Sequence, residues 1–376
     1  MPPGLDVGIV TPRFPPNIKG GGEISAKLLA DNLYADSRIS KVTVYSFDGD
    51  LHSNSGYDIV RLGDIRSEFK EWSNLYAYFK LNSRINKHDV IHSYNMCFHP
   101  VVGHFSEKFC IPSIATLNSY SFIRESTIGL NSRYLHSIYK KVSLNSSGRI
   151  LIKKIRNIDN FIALSNSVKE IYENKILNGS NIQVIPNMID TNFNTEAISN
   201  TIFQNNLIYV GRLSKEKGVK YLIGSLDYLS DEYSLVIVGD GSQKEELEKI
   251  ASKRDLDDRI EFAGYIEQNK LNKYYEASDI FVHPGIWPEP FGRTLLEAMQ
   301  ADLPIVATNI GGPKDIVPNK ELLCPPRDSE QLAKSIKLAE DMYNELDVQK
   351  YLYDNYHPST ITDEVIELYY ETMKNK

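Results

Sequence analysis

Two glutamates eight residues apart, Glu289 and Glu297, lie in the stretch of this chain that carries the most chemistry. It reads His283-Pro284-Gly285-Ile286-Trp287-Pro288-Glu289-Pro290-Phe291-Gly292-Arg293-Thr294-Leu295-Leu296-Glu297. Three prolines within seven residues make a stiff loop, because proline fixes φ and removes an amide donor. A helix must follow, with Glu289 just before its start and Glu297 about a turn and a half inside it. In that arrangement the amides from Phe291 through Gly292, Arg293 and Thr294 to Leu295 are left unpaired by the helix and free for a ligand. Carboxylates accept hydrogen bonds from sugar and ribose hydroxyls, and a helix start attracts a diphosphate.

Two glycine loops offer the same kind of chemistry. Gly211-Arg212-Leu213-Ser214-Lys215-Glu216-Lys217-Gly218 falls where a strand ends and a helix begins. Arg212 offers a planar fork and Lys217 a point charge, and both can reach one phosphate pair; a solvated polar loop is the plainer alternative. Gly20-Gly21-Gly22 follows an early strand and opens a helix over 23–34. It would let backbone approach an anion closely, although a simple turn has the same composition. It is not a G-x-G-x-x-G fingerprint, since the helix begins too soon.

Other signals point to structure. Asp48-Gly49-Asp50 spells a metal-binding triplet but sits in a polar loop, where Asp and Gly are ordinary turn residues. His88, His92, His99 and His104 fit no zinc spacing, and His92 is expected in a cleft wall or in the core. The strand at 235–240 with Gly241-Ser242 lacks the third glycine of a dinucleotide site. The 23 tyrosines can stack on sugars, but packing is their commoner use. No metal and no bound cofactor is therefore expected.

The elements that must position these residues form two series. Short β-branched runs at 5–11, 41–46, 89–94, 113–117, 160–164 and 183–185 alternate with helical segments. After a polar stretch at 190–204 the rhythm restarts at 207–210, 234–238, 259–262, 279–282 and 303–307. Apolar strands separated by helices predict parallel sheets, and two series predict two doubly wound α/β domains with ligands at the carboxyl ends of the strands. A chain of 376 residues suits two such cores. An amphipathic helix over 359–374 follows with no strand after it.

Composition fits a globular protein, with 41% hydrophobic and 24% charged residues. Cys97, Cys110 and Cys324 suggest neither a zinc site nor a disulfide framework; with no leader apparent at the start, a cytoplasmic setting is expected and the N-x-S triplets at Asn145 and Asn178 read as chance. No run of eighteen apolar residues occurs. Charge is uneven: residues 1–203 hold 22 Lys and Arg against 18 Asp and Glu, the remainder 20 against 31. Residues 124–175 hold ten basic and four acidic side chains, including Lys140, Lys141, Arg149, Lys153, Lys154 and Arg156. Either this is a solvated helix face, or it meets an anionic acceptor or the anionic headgroups of a membrane's inner face. Phe122, Ile123, Tyr134, Leu135, Ile138 and Tyr139 lie nearby and would assist such a peripheral contact.

Taken together, the glycine loop near the start, the G-R-L-x-x-x-K-G segment, Gly264-Tyr265-Ile266 and Glu289-x7-Glu297 in the setting P-E-P-F-G-R-T-x-L-E-A make the chain resemble the retaining glycosyltransferases of family 4. The resemblance runs over nearly the whole chain. It implies the GT-B fold, two Rossmann-like domains facing a central cleft. The domains would span 1–187, joined by a terminal helix at about 359–376, and 190–357. By the same resemblance Arg212 and Lys217 neutralise the diphosphate of a nucleotide sugar, with UDP and GDP both open, and Glu289 touches the transferred hexose. Glu297 would bind the ribose, Tyr265 and Ile266 would border the base, and Gly21, Gly22 and the amides at Phe291–Leu295 would complete the donor site.

Two positions depart from the family pattern. Asn118 stands where a histidine often faces the sugar; it can hydrogen-bond a hydroxyl but cannot titrate near neutrality. Met188 follows Asn187 where a glycine is usual. The implied reaction retains anomeric configuration without a metal ion, and a phosphate oxygen takes the proton of the acceptor hydroxyl. The acceptor would be a glycan or a lipid-linked sugar in polysaccharide biosynthesis, and no nucleic acid is involved. Domain closure would complete the site, with hinges at 186–190 and near His357-Pro358. An epimerase or phosphorylase on the same fold, or a noncatalytic partner subunit, are the competing functions. Retention of Glu289, Glu297, Arg212 and Lys217 argues against the last.

Overall fold

The computed structural model describes residues 4–18, 20–49, 55–65, 70–123, 147–193 and 203–376. The chain divides into two compact units, Met1–Met188 with Pro358–Lys376, and Ile189–His357.

The first unit is built on strands β1 (Leu5–Val10), β2 (Ile39–Ser46), β4 (Asp58–Arg61), β6 (Val90–Ser93), β7 (Ser113–Leu117), β8 (Asn160–Ala163) and β9 (Asn181–Val184). They pair in parallel in the order β4-β2-β1-β6-β7-β8-β9. Strands β3 (Asp48–Gly49) and β5 (Gly63–Asp64) form a small antiparallel pair beside the sheet. Helices α1 (Gly21–Ala35), α2 (Lys70–Leu81), α3 (His99–Phe109), α4 (Ser147–Ile155) and α5 (Asn166–Lys175) connect the strands. Val7, Ile9, Val90, Ile91 and Ile114 are fully buried, as a sheet covered on both faces requires. One face packs against α1 and the terminal helix Pro358–Lys374, which contributes Ile361, Val365, Ile366 and Tyr369 to the core. The other face packs against α2 and α3 through Ala77, Leu81, Val101 and Phe105.

The second unit carries β10 (Asn206–Val210), β11 (Ser234–Val238), β12 (Ile260–Gly264), β13 (Ile280–His283), β14 (Ile305–Thr308) and β15 (Leu323–Cys324). They are parallel in the order β12-β11-β10-β13-β14-β15. Its helices include α6 (Val219–Ser225), α7 (Lys244–Ser252), α8 (Gln268–Glu276), α9 (Arg293–Gln300) and α10 (Gly312–Ile316). Strand order reverses between β1 and β6 in one unit and between β10 and β13 in the other. Loops leaving neighbouring strands at such a reversal go to opposite faces, which opens a crevice at the strand ends.

The edge strand β4 is absent from the sequence expectation, because Asp58-Ile59-Val60-Arg61 is short and half polar; its inner residues are only partly buried. Strand β15 has two residues, too few for a period. Asp48 is a structural group: it pairs with Arg61 at 2.5 Å and accepts the Phe14 amide at 2.8 Å. Asp50 lies outside the described residues.

Candidate active site

The reversal between β10 and β13 brings the two best sequence signals together. The loop after β10 runs from Gly211 to a tight turn at Lys215–Lys217 and then Gly218. The loop after β13 is the proline-rich stretch. Gly218 has φ 69°, and a Cβ there would come within 2.0 Å of the Pro284 carbonyl oxygen, so only glycine lets the loops touch. The Ile286 amide donates to the Glu216 carbonyl at 2.9 Å, which stitches them.

Lys217 and Glu289 meet at this seam. Nζ of Lys217 donates to both Glu289 oxygens, at 2.7 and 2.6 Å. His283, at the end of β13, places Nε2 3.0 Å from Oε2 of the same carboxylate. The Glu289 side chain is 18% exposed. Burial by itself would raise its pKa, but the Lys217 ammonium and the His283 hydrogen bond outweigh burial and hold the carboxyl well below the usual range. Glu289 is thus an ionised carboxylate in a partly dry setting.

A third loop supports it. After β14, Gly311 has φ 67° and Gly312 opens α10; a Cβ on Gly311 would strike Pro288 and the Glu289 amide at about 2.5 Å. The Gly312 amide donates to the Glu289 carbonyl at 2.6 Å. The sequence motifs single out neither this shelf nor His283 as a site group, although Gly311-Gly312-Pro313 follows a strand and His283 opens the proline-rich stretch.

Glu297 lies in the second turn of α9 and is only 5% exposed. Its oxygens accept from Gln268 Nε2 at 3.2 Å and from the Tyr275 hydroxyl at 3.1 Å, both on α8. Among the described residues it has no ion pair, so its contacts are with neutral donors. Tyr275 carries the mark of this neighbour: burial first, then the Glu297 charge, raises its hydroxyl pKa far above normal. Gln268 and Tyr275 lie more than twenty residues upstream, where nothing local in the sequence marks them.

The helix start differs from expectation at one amide. Leu295 is not free, because its N–H donates to the Gly292 carbonyl at 3.0 Å and tightens the first turn. Phe291, Gly292 and Thr294 have no backbone acceptor among the described residues. Gly292, at φ 105°, is the N-cap; Phe291 is buried, and Arg293 and Thr294 are half-buried. The Arg212 side chain is exposed and, among the described residues, has no ion-pair partner. Tyr265, just beyond β12, is 76% exposed, and Ile266 beside it is half-buried.

In the first unit, Gly20 is the N-cap of α1, and Gly21 and Gly22 form its first turn, two residues earlier than the sequence indicates. The Gly20 amide donates to Glu23 Oε2 at 3.0 Å. A Cβ on Gly22 would lie 3.8 Å from Asn118 Nδ2, so the glycine turn and Asn118 are neighbours. Asn118 Nδ2 donates to the Tyr94 carbonyl at 2.7 Å, while its buried Oδ1 has no partner among the described residues. An unsatisfied buried oxygen beside a glycine turn is a place for a ligand donor. Asn187 accepts from the Tyr94 hydroxyl at 3.0 Å, and Met188 is buried in the same core.

The histidines serve separate roles. His88 bonds Asp6 and Tyr45, His92 bonds Tyr369 and Thr116, and His99 bonds Ser93 and the Thr116 carbonyl. Burial pushes both His92 and His99 down to about 3. His104 packs its ring at a tilt against Tyr78. Among the described residues no three His, Cys, Asp or Glu side chains group as metal ligands, and no helix is long and apolar enough to cross a membrane.

Residues 194–355 match the family described as glycosyl transferases group 1, and residues 19–193 match glycosyltransferase family 4. An uncharacterized glycosyltransferase of Methanocaldococcus jannaschii is 25% identical over 97% of this chain and 98% of its own. Sucrose-phosphate synthase from Thermosynechococcus elongatus superposes with a TM-score of 0.82 at 19% identity, over 99% of this chain and all of the other. HepE of Anabaena, solved with UDP and glucose, gives 0.73 at 18%, over 97% and 99%. With two parallel-sheet units, the GT-B fold, and family matches running from residue 19 to 355, the chain belongs to the family 4 glycosyltransferases.

Proposed function

We propose that the enzyme transfers a hexose-type sugar from a nucleotide diphosphate sugar, UDP or GDP, with retention of configuration and without a metal ion. The observation that carries this is the Lys217–Glu289–His283 cluster at the start of α9. An ionised carboxylate beside an ammonium and a helix N-terminus can take a sugar hydroxyl on one side and a phosphate on the other. Glu289 touches the transferred sugar, and Glu297, with Gln268 and Tyr275 behind it, takes the ribose hydroxyls. Tyr265 and Ile266 border the base.

The leaving diphosphate gains charge as the glycosidic bond breaks. Arg212, Lys217 and the amides of Phe291, Gly292 and Thr294 stabilise it there. The acceptor hydroxyl enters on the face the diphosphate leaves, and a phosphate oxygen takes its proton. Asn118 Oδ1 and the Gly21-Gly22 turn form the ligand-facing end of the first unit. HepE was solved with UDP and glucose, so UDP-glucose is the first donor to assay. The acceptor is a glycan or a lipid-linked sugar in polysaccharide biosynthesis, met at the inner face of an anionic membrane. Transfer is followed by release of nucleotide diphosphate, and the anomer is read by NMR. An inverted product contradicts retention. Activity lost in EDTA and restored by magnesium or manganese contradicts the metal-free step.

A further inference from the structure

Helix α2 of the first unit turns large apolar side chains outward. Trp72 is 64% exposed, Leu75 46% and Phe79 69%, and Tyr76 is also exposed. They recur at i, i+3, i+4 and i+7, so they form one stripe along the helix. The opposite side of α2 carries Ala77 and Leu81 into the core, so the stripe is a second apolar face, exposed among the described residues, with Tyr76 anchored in it by its hydroxyl on the Leu62 carbonyl at 2.9 Å. Helix α4 touches α2, and Ser147 at its start donates to Glu71 at 2.5 Å. One turn on, Ile150 is 65% exposed.

The charges on these two helices and the turn after α2 are almost all basic. Residues 70–88 and 147–156 hold Lys70, Lys80, Arg84, Lys87, Arg149, Lys153, Lys154 and Arg156, against Glu71 alone. Lys154 pairs with Glu107, and Arg156 bonds the Ile176 carbonyl; Arg84, Lys87, Arg149 and Lys153 are exposed. A chain of net charge −7 thus places a basic rim around its exposed aromatic stripe.

We infer that the outer face of α2, with Ile150 of α4, is a membrane-docking surface for a bilayer containing anionic lipid. Tryptophan and phenylalanine enter the headgroup boundary, while lysine and arginine reach the lipid phosphates. A second copy of the chain fits poorly, because a twofold contact would set the same basic rim against itself. The inference rests on the proposed membrane-bound acceptor and narrows it to these residues. It also moves the contact: Phe122 and Ile123 are buried, and Tyr134, Leu135, Ile138, Tyr139, Lys140 and Lys141 lie outside the described residues.

The test is flotation of the full chain with vesicles of phosphatidylcholine alone or with added phosphatidylglycerol, at low and high salt. Wild type should float with the anionic vesicles at low salt and stay behind with the neutral ones. Trp72→Ser with Phe79→Ser should lower partitioning by about tenfold or more, since each ring buries a large apolar area in the interface. Arg149→Glu with Lys153→Glu should abolish the difference between the vesicle types. Circular dichroism and donor hydrolysis by water should stay unchanged in both variants. If wild type floats and the Trp72/Phe79 variant floats equally well, α2 is not the surface, although the membrane reading stands. If wild type does not float, both fall. If sedimentation shows a dimer that the Trp72/Phe79 variant loses, the face binds a second copy and the inference is overturned.

Discussion

Replacing Glu289 by glutamine removes one charge from a pair whose distances are known. Lys217 Nζ reaches both oxygens, at 2.6 and 2.7 Å, and His283 reaches one at 3.0 Å. Glutamine keeps the shape and one acceptor oxygen but loses the ionic part. Breaking a fully buried pair costs about 3–5 kcal/mol. Here the two side chains are 21% and 18% exposed, so water can reach Lys217, and a cost of about 1–2 kcal/mol is expected, between the surface and buried limits. Turnover should suffer more. A charged hydrogen bond to the sugar is worth about 1.5–3 kcal/mol, or about tenfold to a hundredfold in kcat. Donor affinity should move the other way: with Glu289 neutral, Lys217 is no longer shared, so KM for the nucleotide sugar should stay level or fall. Steady-state kinetics of nucleotide diphosphate release, with circular dichroism and Tm as controls, measure all three. A folded variant with wild-type kcat and a raised donor KM would refute the assignment of Glu289 to the transferred sugar.

Glu297→Gln should raise the donor KM about tenfold to a hundredfold and leave kcat near wild type, because the ribose contact is made equally in ground and transition states; a kcat effect alone would contradict this. Asn118→Ala should lower turnover by removing the unpaired Oδ1 and the bond to Tyr94. Asn118→His should restore part of it and add an acid limb near pH 6.5 to the rate profile, and a profile identical to wild type would place Asn118 away from the chemistry. Acid should destabilise the first unit through His92 and His99. Their folded pKa values near 3 lie below the unfolded value of 6.5, so the unfolded state binds more protons between them. Stability is therefore complete above pH 6.5 and is lost as pH falls toward 3. Two protons correspond to about 2.7 kcal/mol per pH unit in the middle of that window. Urea titrations at pH 7, 6 and 5 check the slope, and a flat result would mean that these histidines are protonated in the folded state.

The buried strands were legible because each is a short apolar run flanked by polar turns. Val7–Val10 and Leu235–Val238 cannot be read otherwise once helices separate them. The edge strand Asp58–Arg61 was not legible, since one polar side and half-buried residues erase the run that marks an inner strand. The loops bearing Lys217 and Glu289 were visible as glycine and proline punctuation. Their meeting depends on strand order, which no local pattern encodes. His283, Gln268 and Tyr275 have the same difficulty: each acts on a carboxylate supplied by another segment or by the far end of its own loop. The Leu295 amide shows the opposite failure. A rule about helix starts left it free, and a tightened first turn used it.

The two basic residues of the site are unequal in charge available to a ligand. An ammonium has three donors, and Glu289 takes at most two of those on Lys217. A phosphate oxygen can therefore share Lys217 without breaking the pair, but it meets a unit that is already neutral overall. Arg212 is exposed and has no counter-ion among the described residues, so its full charge faces an arriving donor. In the proposed reaction a long-range pull on a diphosphate would fall to Arg212 and the short-range geometry to Lys217, which the Gly218 contact and the Ile286 bond hold against Glu289. The same division explains why Glu289 remains ionised: its partner is fixed by the fold and does not depend on the ligand.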